Sequence, residues 1–166
     1  MEGAGTAQAW PEPVERVGDA LEAAGAEARI EEFAQTAATA ADASRAIGCE
    51  LRQIVKSLLF VCDGQPVLVL VPGDRRADAR KIAAAAGARR AKVAGPEQVE
   101  EATGYAPGAV SPFGLRSVER VLVDRSLLAA SLVWVGAGSH RHLAGLAPVE
   151  LVRVSRAQAV DVAADT

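Results

Sequence analysis

The chain has 166 residues, with 18 Lys and Arg against 21 Asp and Glu, for a formal net charge of −3. That length suits one domain and accommodates two only with difficulty. The acidic balance excludes a protein that holds nucleic acid by blanketing its phosphate backbone, although a local basic groove for one RNA end stays open. Half of the residues are hydrophobic but only 4% are aromatic, so the core is expected to be Val, Leu, Ile and Ala, with helices packed closely on a sheet.

Residues 1–13 are rich in Ala, Gly and Pro and lack the basic start and apolar centre of a signal peptide. They read as a flexible lead-in to a domain over 14–166. No apolar run approaches the roughly 18 residues of a membrane helix, and a soluble cytoplasmic protein is expected. Cys49 and Cys62 have neither CxxC nor zinc-site spacing. They read as two small apolar residues in a reducing compartment.

Val14, Val17, Leu21 and Ala24 recur at helical spacing, with Gly25 as a stop. A strand over Ala28 to Phe33 follows. Thr39, with Asp42 three residues on, starts a second helix that Gly48 ends. Strands over Gln53 to Cys62 and Pro66 to Val71 flank the Asp-Gly hairpin signal at Asp63-Gly64. The second of these is apolar on both faces and should be buried. Further on come a helix over Ala77 to Ala86, a strand over Ala91 to Val93, and a helix over Pro96 to Thr103. Gly104 to Gly114, with two prolines, has neither period. Strands over Val118 to Val123 and Ser131 to Val135 lead to the glycine turn Gly136-Ala137-Gly138-Ser139. A short strand over His140 to Leu143, a helix over Ala147 to Val152 and a strand near Ala159 to Val162 complete the chain. These elements predict one α/β domain with a mixed, partly barrel-like central sheet flanked by helices.

Chemistry has few seats. Lys56 shares a strand face with Ile54, Leu58 and Phe60. It therefore either borders a cleft or is carried to solvent by a twist. In a cleft of low dielectric it would bind an anion or a carbonyl oxygen. The Gly104 to Gly114 loop is a second candidate, because glycine lets backbone amides approach a ligand; a plain surface connection is the alternative. His140 and His142 would share a strand face, but no carboxylate or cysteine cluster completes a metal site. A histidine in a pocket wall is expected, or one in solvent. There is no P-loop, no dinucleotide fingerprint and no nucleophile elbow, and neither metal nor cofactor is expected.

Gln53-Ile54-Val55-Lys56-Ser57-Leu58-Leu59-Phe60, then Asp63-Gly64, then Leu68 to Val71 and Gly73-Asp74-Arg75-Arg76, resemble the YbaK family of prolyl-tRNA synthetase-associated editing domains. Thr103-Gly104-Tyr105 and the segment Gly108 to Gly114 resemble that family's substrate loop, with its Gly-x-x-x-Pro element at Gly108 to Pro112. The resemblance covers nearly the whole chain. It implies a single mixed α/β domain that removes the wrong amino acid from mischarged tRNA, commonly Ala-tRNA(Pro) or Cys-tRNA(Pro), acting alone or fused to a synthetase. It also implies that Lys56 is the essential lysine. The loop Gly108, Ala109, Val110, Ser111, Pro112 and Phe113 and the turn Gly136, Ala137 and Gly138 would hold the 3′-terminal aminoacyl-adenosine. His142 sits where one branch of the family carries a histidine. Another branch carries an aspartate near Leu143 and Ala144, which this sequence lacks. The partner implied is the 3′ end of a mischarged tRNA, with an aminoacyl-tRNA synthetase as a second; no sequence-specific DNA is implied. The reading from another class is a non-catalytic module that binds a nucleotide or a tRNA 3′ end.

Overall fold

The computed structural model describes residues 10–165. Of the expected lead-in, residues 1–9 lie outside the described part, whereas Glu12 and Pro13 already belong to α1 (Glu12–Ala23). Proline suits a first helical turn because its missing N–H would have had no partner there.

Asp63 and Gly64 close a two-residue hairpin between β2 (Val55–Cys62) and β3 (Gln65–Pro72). Both have positive φ, 50° and 85°, as the turn that matches strand twist requires. Val67 to Val71 of β3 are at most 2% exposed, since this strand lies inside a five-stranded sheet of order β4-β2-β3-β5-β8. It runs parallel to β5 (Arg120–Asp124), which runs parallel to β8 (Gln158–Val160). On the other side, β4 (Ala91–Val93) covers only Phe60 to Cys62 of β2.

A second, antiparallel sheet has the order β1-β7-β6, from Ala28–Glu32, His142–Leu146 and Val133–Gly136. The mixed α/β single domain is as expected, but its strands form two sheets joined by one parallel bridge, Ile54 to Trp134. The ladder stops there because Leu51–Gln53 coil into a 3-10 turn. Gln53 Oε1 accepts the Glu50 N–H at 3.0 Å and the Ile54 N–H reaches back to the Leu51 carbonyl at 3.1 Å.

The main core lies between the sheets and the helices α1 and α5 (Pro148–Ser155), with Val17, Leu21, Leu68, Leu70, Val133, Val135 and Leu151. The opposite face of the larger sheet packs Val67, Val69 and Val71 against Ile82 of α3 (Ala79–Ala86). Helices α2 (Ala40–Ile47) and α4 (Pro96–Thr103) match the expected spans, and the Thr39 hydroxyl accepts the Asp42 N–H at 3.0 Å. β8 stops short of the expected Val162 because the N–H groups of Val162 and Ala163 donate to the Asp124 carboxylate, at 3.0 and 2.9 Å.

Candidate functional site

Because β4 is so short, the edge of β2 around Ser57, between the Ile54–Trp134 bridge and β4, pairs with no strand among the described residues. A cleft of about 320 Å³ opens along it. Its far walls are Phe33, the segment Ala37 to Ala40 with Ala43, Gly108 and Val110 of the loop, and Gly136, Ser139, His140, His142 and Leu143.

Lys56 lies opposite Val71 in the ladder and lines the cleft, half-buried, on the strand face of Leu58 and Phe60. The sequence left a choice between cleft and solvent for this side chain; the missing neighbour of β2 puts it at a cleft. Burial holds its ammonium below the ordinary lysine range, Arg76 pushes the same way and Asp74 opposes. The first turn of α2 lines the same space, and the positive end of its helix dipole faces it. No carboxylate lines the cleft among the described residues.

The Gly104 to Gly114 loop is held by its own side chains. The Tyr105 hydroxyl donates to the Phe113 carbonyl, and the Arg16 guanidinium lies 4.5 Å above the Tyr105 ring while donating to the Gly104 carbonyl at 2.6 Å. Thr103 Oγ1 accepts the Tyr105 N–H at 3.0 Å, and Ser111 Oγ accepts the Phe113 N–H at 3.2 Å. These bonds turn Ala109, Ser111, Pro112 and Phe113 inward, where they are buried behind the cleft. Of the six loop positions expected at the substrate, Gly108 and Val110 line the cleft. The Ala109 N–H is taken by the Ala106 carbonyl at 2.9 Å.

The glycine turn closes the opposite side. At Gly138 φ is +100°, and a Cβ would meet the Pro13 carbonyl group at 2.8 Å, so the turn packs directly under α1. Ala137 is fully buried and donates its N–H to the His142 carbonyl at 3.3 Å. Gly136 and Ser139 are the members of this turn that reach the cleft.

The expected strand over His140 to Leu143 begins at His142 and runs to Leu146. His140 and Arg141 belong instead to a turn, because Ser139 Oγ accepts the Arg141 N–H at 2.9 Å. The two histidines therefore do not share a strand face; His140 stands over Gly108, where a Cβ would come within 2.8 Å of its Cε1. His142 is 2% exposed, with Nδ1 2.6 Å from Ser139 Oγ. That oxygen accepts the Arg141 N–H and also shares a hydrogen bond with Nδ1, which fixes the plane of the ring. Nε2 is buried with no hydrogen-bond partner among the described residues, 3.6 Å from Glu32 Oε2. The Trp10 ring meets the imidazole edge-on, 5.4 Å between centroids. Burial holds His142 below the ordinary histidine range, against the pull of Glu32 and with the help of Arg141.

Phe33, Ala37, Ala43 and Leu143 are wall residues that sequence reasoning missed. Only Thr39, by its capping pattern, carried a local signal. A half-buried lysine beside a cleft that no carboxylate lines among the described residues, on a mixed α/β domain, gives an anion or a carbonyl oxygen a partner.

Comparison with known proteins makes this specific. Residues 34–154 match the family model described as the aminoacyl-tRNA editing domain, and the chain belongs to that family. It is 35% identical over 138 residues to the uncharacterized protein YwhH of Bacillus subtilis, covering 82% of this chain and 87% of that protein. It is 43% identical over 89 residues to the proline–tRNA ligase of Nitratidesulfovibrio vulgaris strain DP4, covering 54% of this chain but only 16% of the ligase. A crystal structure described as a candidate trans-editing enzyme for prolyl tRNA synthetase superposes with a TM-score of 0.89 at 35% identity, over 95% of this chain and all of that one.

Proposed function

We propose that this chain is a trans-acting deacylase that hydrolyses the ester of a mischarged tRNA, with Ala-tRNA(Pro) or Cys-tRNA(Pro) as substrate. The observation that carries the proposal is Lys56, a half-buried cation beside a small cleft that no carboxylate lines among the described residues. Membership of the editing-domain family supports it.

Hydrolysis adds a water oxygen to the ester carbonyl carbon, breaks the bond to the ribose oxygen, and passes the water's proton to that ribose oxygen. Such a reaction needs a positioned water and donors for the developing oxyanion more than a covalent nucleophile. Lys56 fixes the aminoacyl end and stabilises that charge; it does not attack. The substrate's own neighbouring ribose hydroxyl orients the water. His142, held neutral, is a wall that hydrogen-bonds rather than a cation. Phe33, Val110 and Leu143 bound the volume left for the amino-acid side chain, so a small residue enters and a larger cognate one does not, as in a second sieve. The chain meets only the tRNA's 3′ end, which suits its net negative charge, and it works beside a synthetase in the cytoplasm.

Ala-, Cys- and Ser-charged tRNA(Pro), incubated side by side with the protein, test the proposal. Release of alanine or cysteine well above the uncatalysed rate is expected. Binding without release from any of the three would make it a non-catalytic 3′-end module.

A further inference from the structure

The uncovered edge of β2 presents backbone groups to the cleft, and their direction follows from the ladder. Backbone N–H and C=O groups of alternate strand residues point to opposite sides of a strand within its sheet. The Ile54 carbonyl accepts the Gly73 N–H at 2.6 Å on the β3 side, and the Leu59 carbonyl accepts the Ala94 N–H at 2.9 Å on the β4 side. Even-numbered residues therefore bond toward β3, and odd-numbered ones toward β4 and the cleft. β4 pairs with residues 60–62, and the bridge to Trp134 engages residue 54. Ser57 lies between these, lines the cleft, and its main-chain N–H and C=O have no strand to bond among the described residues. Strand edges left open in this way are ready to pair with an incoming backbone.

We propose that the main chain of Ser57 pairs with the aminoacyl group of the substrate as one strand residue pairs with another. This rests on the deacylase reading above and extends it to the group that recognises the amino acid. An amino-acid ester carries an ammonium and a carbonyl at the spacing of a peptide residue's N–H and C=O, so both can bond to one residue of an edge. The Ser57 carbonyl accepts from the α-ammonium, and the Ser57 N–H donates to the ester carbonyl oxygen. That N–H is in place to stabilise the oxyanion when water adds. The arrangement accounts for a cleft that receives an ammonium without a carboxylate in its lining. It also adds a donor on the side of the cleft opposite the loop, whose Ala109 N–H is already engaged.

Amide spectra of 15N-labelled protein, recorded with alanine amide-linked to 3′-amino-3′-deoxyadenosine, test this. The Ser57 amide should shift downfield and its hydrogen exchange should slow, and the propionyl analogue, which lacks the ammonium, should bind at least tenfold more weakly. Shifts at Lys56 and Val110 with an unmoved Ser57 amide would overturn the strand-edge pairing and leave the deacylase reading standing. No shift at any residue would overturn both. Ser57→Pro deletes an N–H that faces away from the β3 ladder, a position where an uncovered edge tolerates proline, and Ser57→Ala controls for the hydroxyl lost with it. With a native amide spectrum elsewhere, the proline variant's deacylation rate should fall on the order of 100-fold; an unchanged rate would overturn the oxyanion role.

Discussion

Gly136 lies so close to Val110 that a Cβ at position 136 would fall 2.2 Å from the Val110 carbonyl oxygen. The glycine turn and the Gly/Pro loop thus meet backbone to backbone where they close the cleft. Gly136→Ala must push them apart. Forced overpacking of this kind costs about 1–3 kcal/mol, so its denaturant midpoint should drop and deacylation should fall with it. An unchanged midpoint would mean that the two segments are not locked together.

Tyr105 ties the loop to itself through the Phe113 carbonyl. Tyr105→Phe keeps the ring, and with it the stacked Arg16, but leaves a buried acceptor without its donor. The expected loss is about 1–3 kcal/mol, read by urea unfolding, together with faster amide exchange at Val110 to Gly114. A variant as stable as the parent would show that the hydroxyl is dispensable.

Burial holds the titration of His142 in the folded protein below that of an unfolded imidazole, which lies near roughly 6.5. The folded value is the lower one, so below that pH the unfolded chain binds more protons. Stability should therefore fall as pH drops through about 6.5 toward the folded value. His142→Gln removes this contribution. Its urea midpoint should vary less than the parent's between pH 7 and pH 5; parallel profiles would assign the acid sensitivity to other groups.

The ammonium of Lys56 is depressed first by burial and next by Arg76, with Asp74 pulling the other way. Arg76→Ala should therefore raise its titration midpoint and Asp74→Asn should lower it, as followed by NMR of the lysine side chain. An unmoved midpoint in both variants would show that burial alone sets the value.

Much of this was legible in the sequence where the cause is local. The Asp63-Gly64 turn, the Thr39 cap and the alternation that puts Lys56 with Leu58 and Phe60 each depend on neighbours in the chain, and each appears in the structure. What was not legible depends on distant partners. The Asp124 carboxylate takes the N–H groups of Val162 and Ala163 and ends β8 early. Ser139 takes the Arg141 N–H and moves the start of β7 to His142. The wall formed by Phe33, Ala37 and Leu143 exists only because β1 pairs with β7 and brings residues over a hundred positions apart together. The loop was recognisable as a loop, but which side chains turn inward was decided by Tyr105, Thr103 and Ser111, whose partners lie within the loop and at the end of α4.

Release of alanine from Ala-tRNA(Pro) by the parent protein and by Lys56→Ala, with folding of the variant checked by its amide spectrum, tests the central claim most directly. If Lys56 stabilises the charge that develops on the ester, the variant should lose on the order of 100-fold or more in rate while keeping its fold. A folded variant that releases alanine at the parent's rate would contradict the assignment of Lys56 and of the cleft it borders.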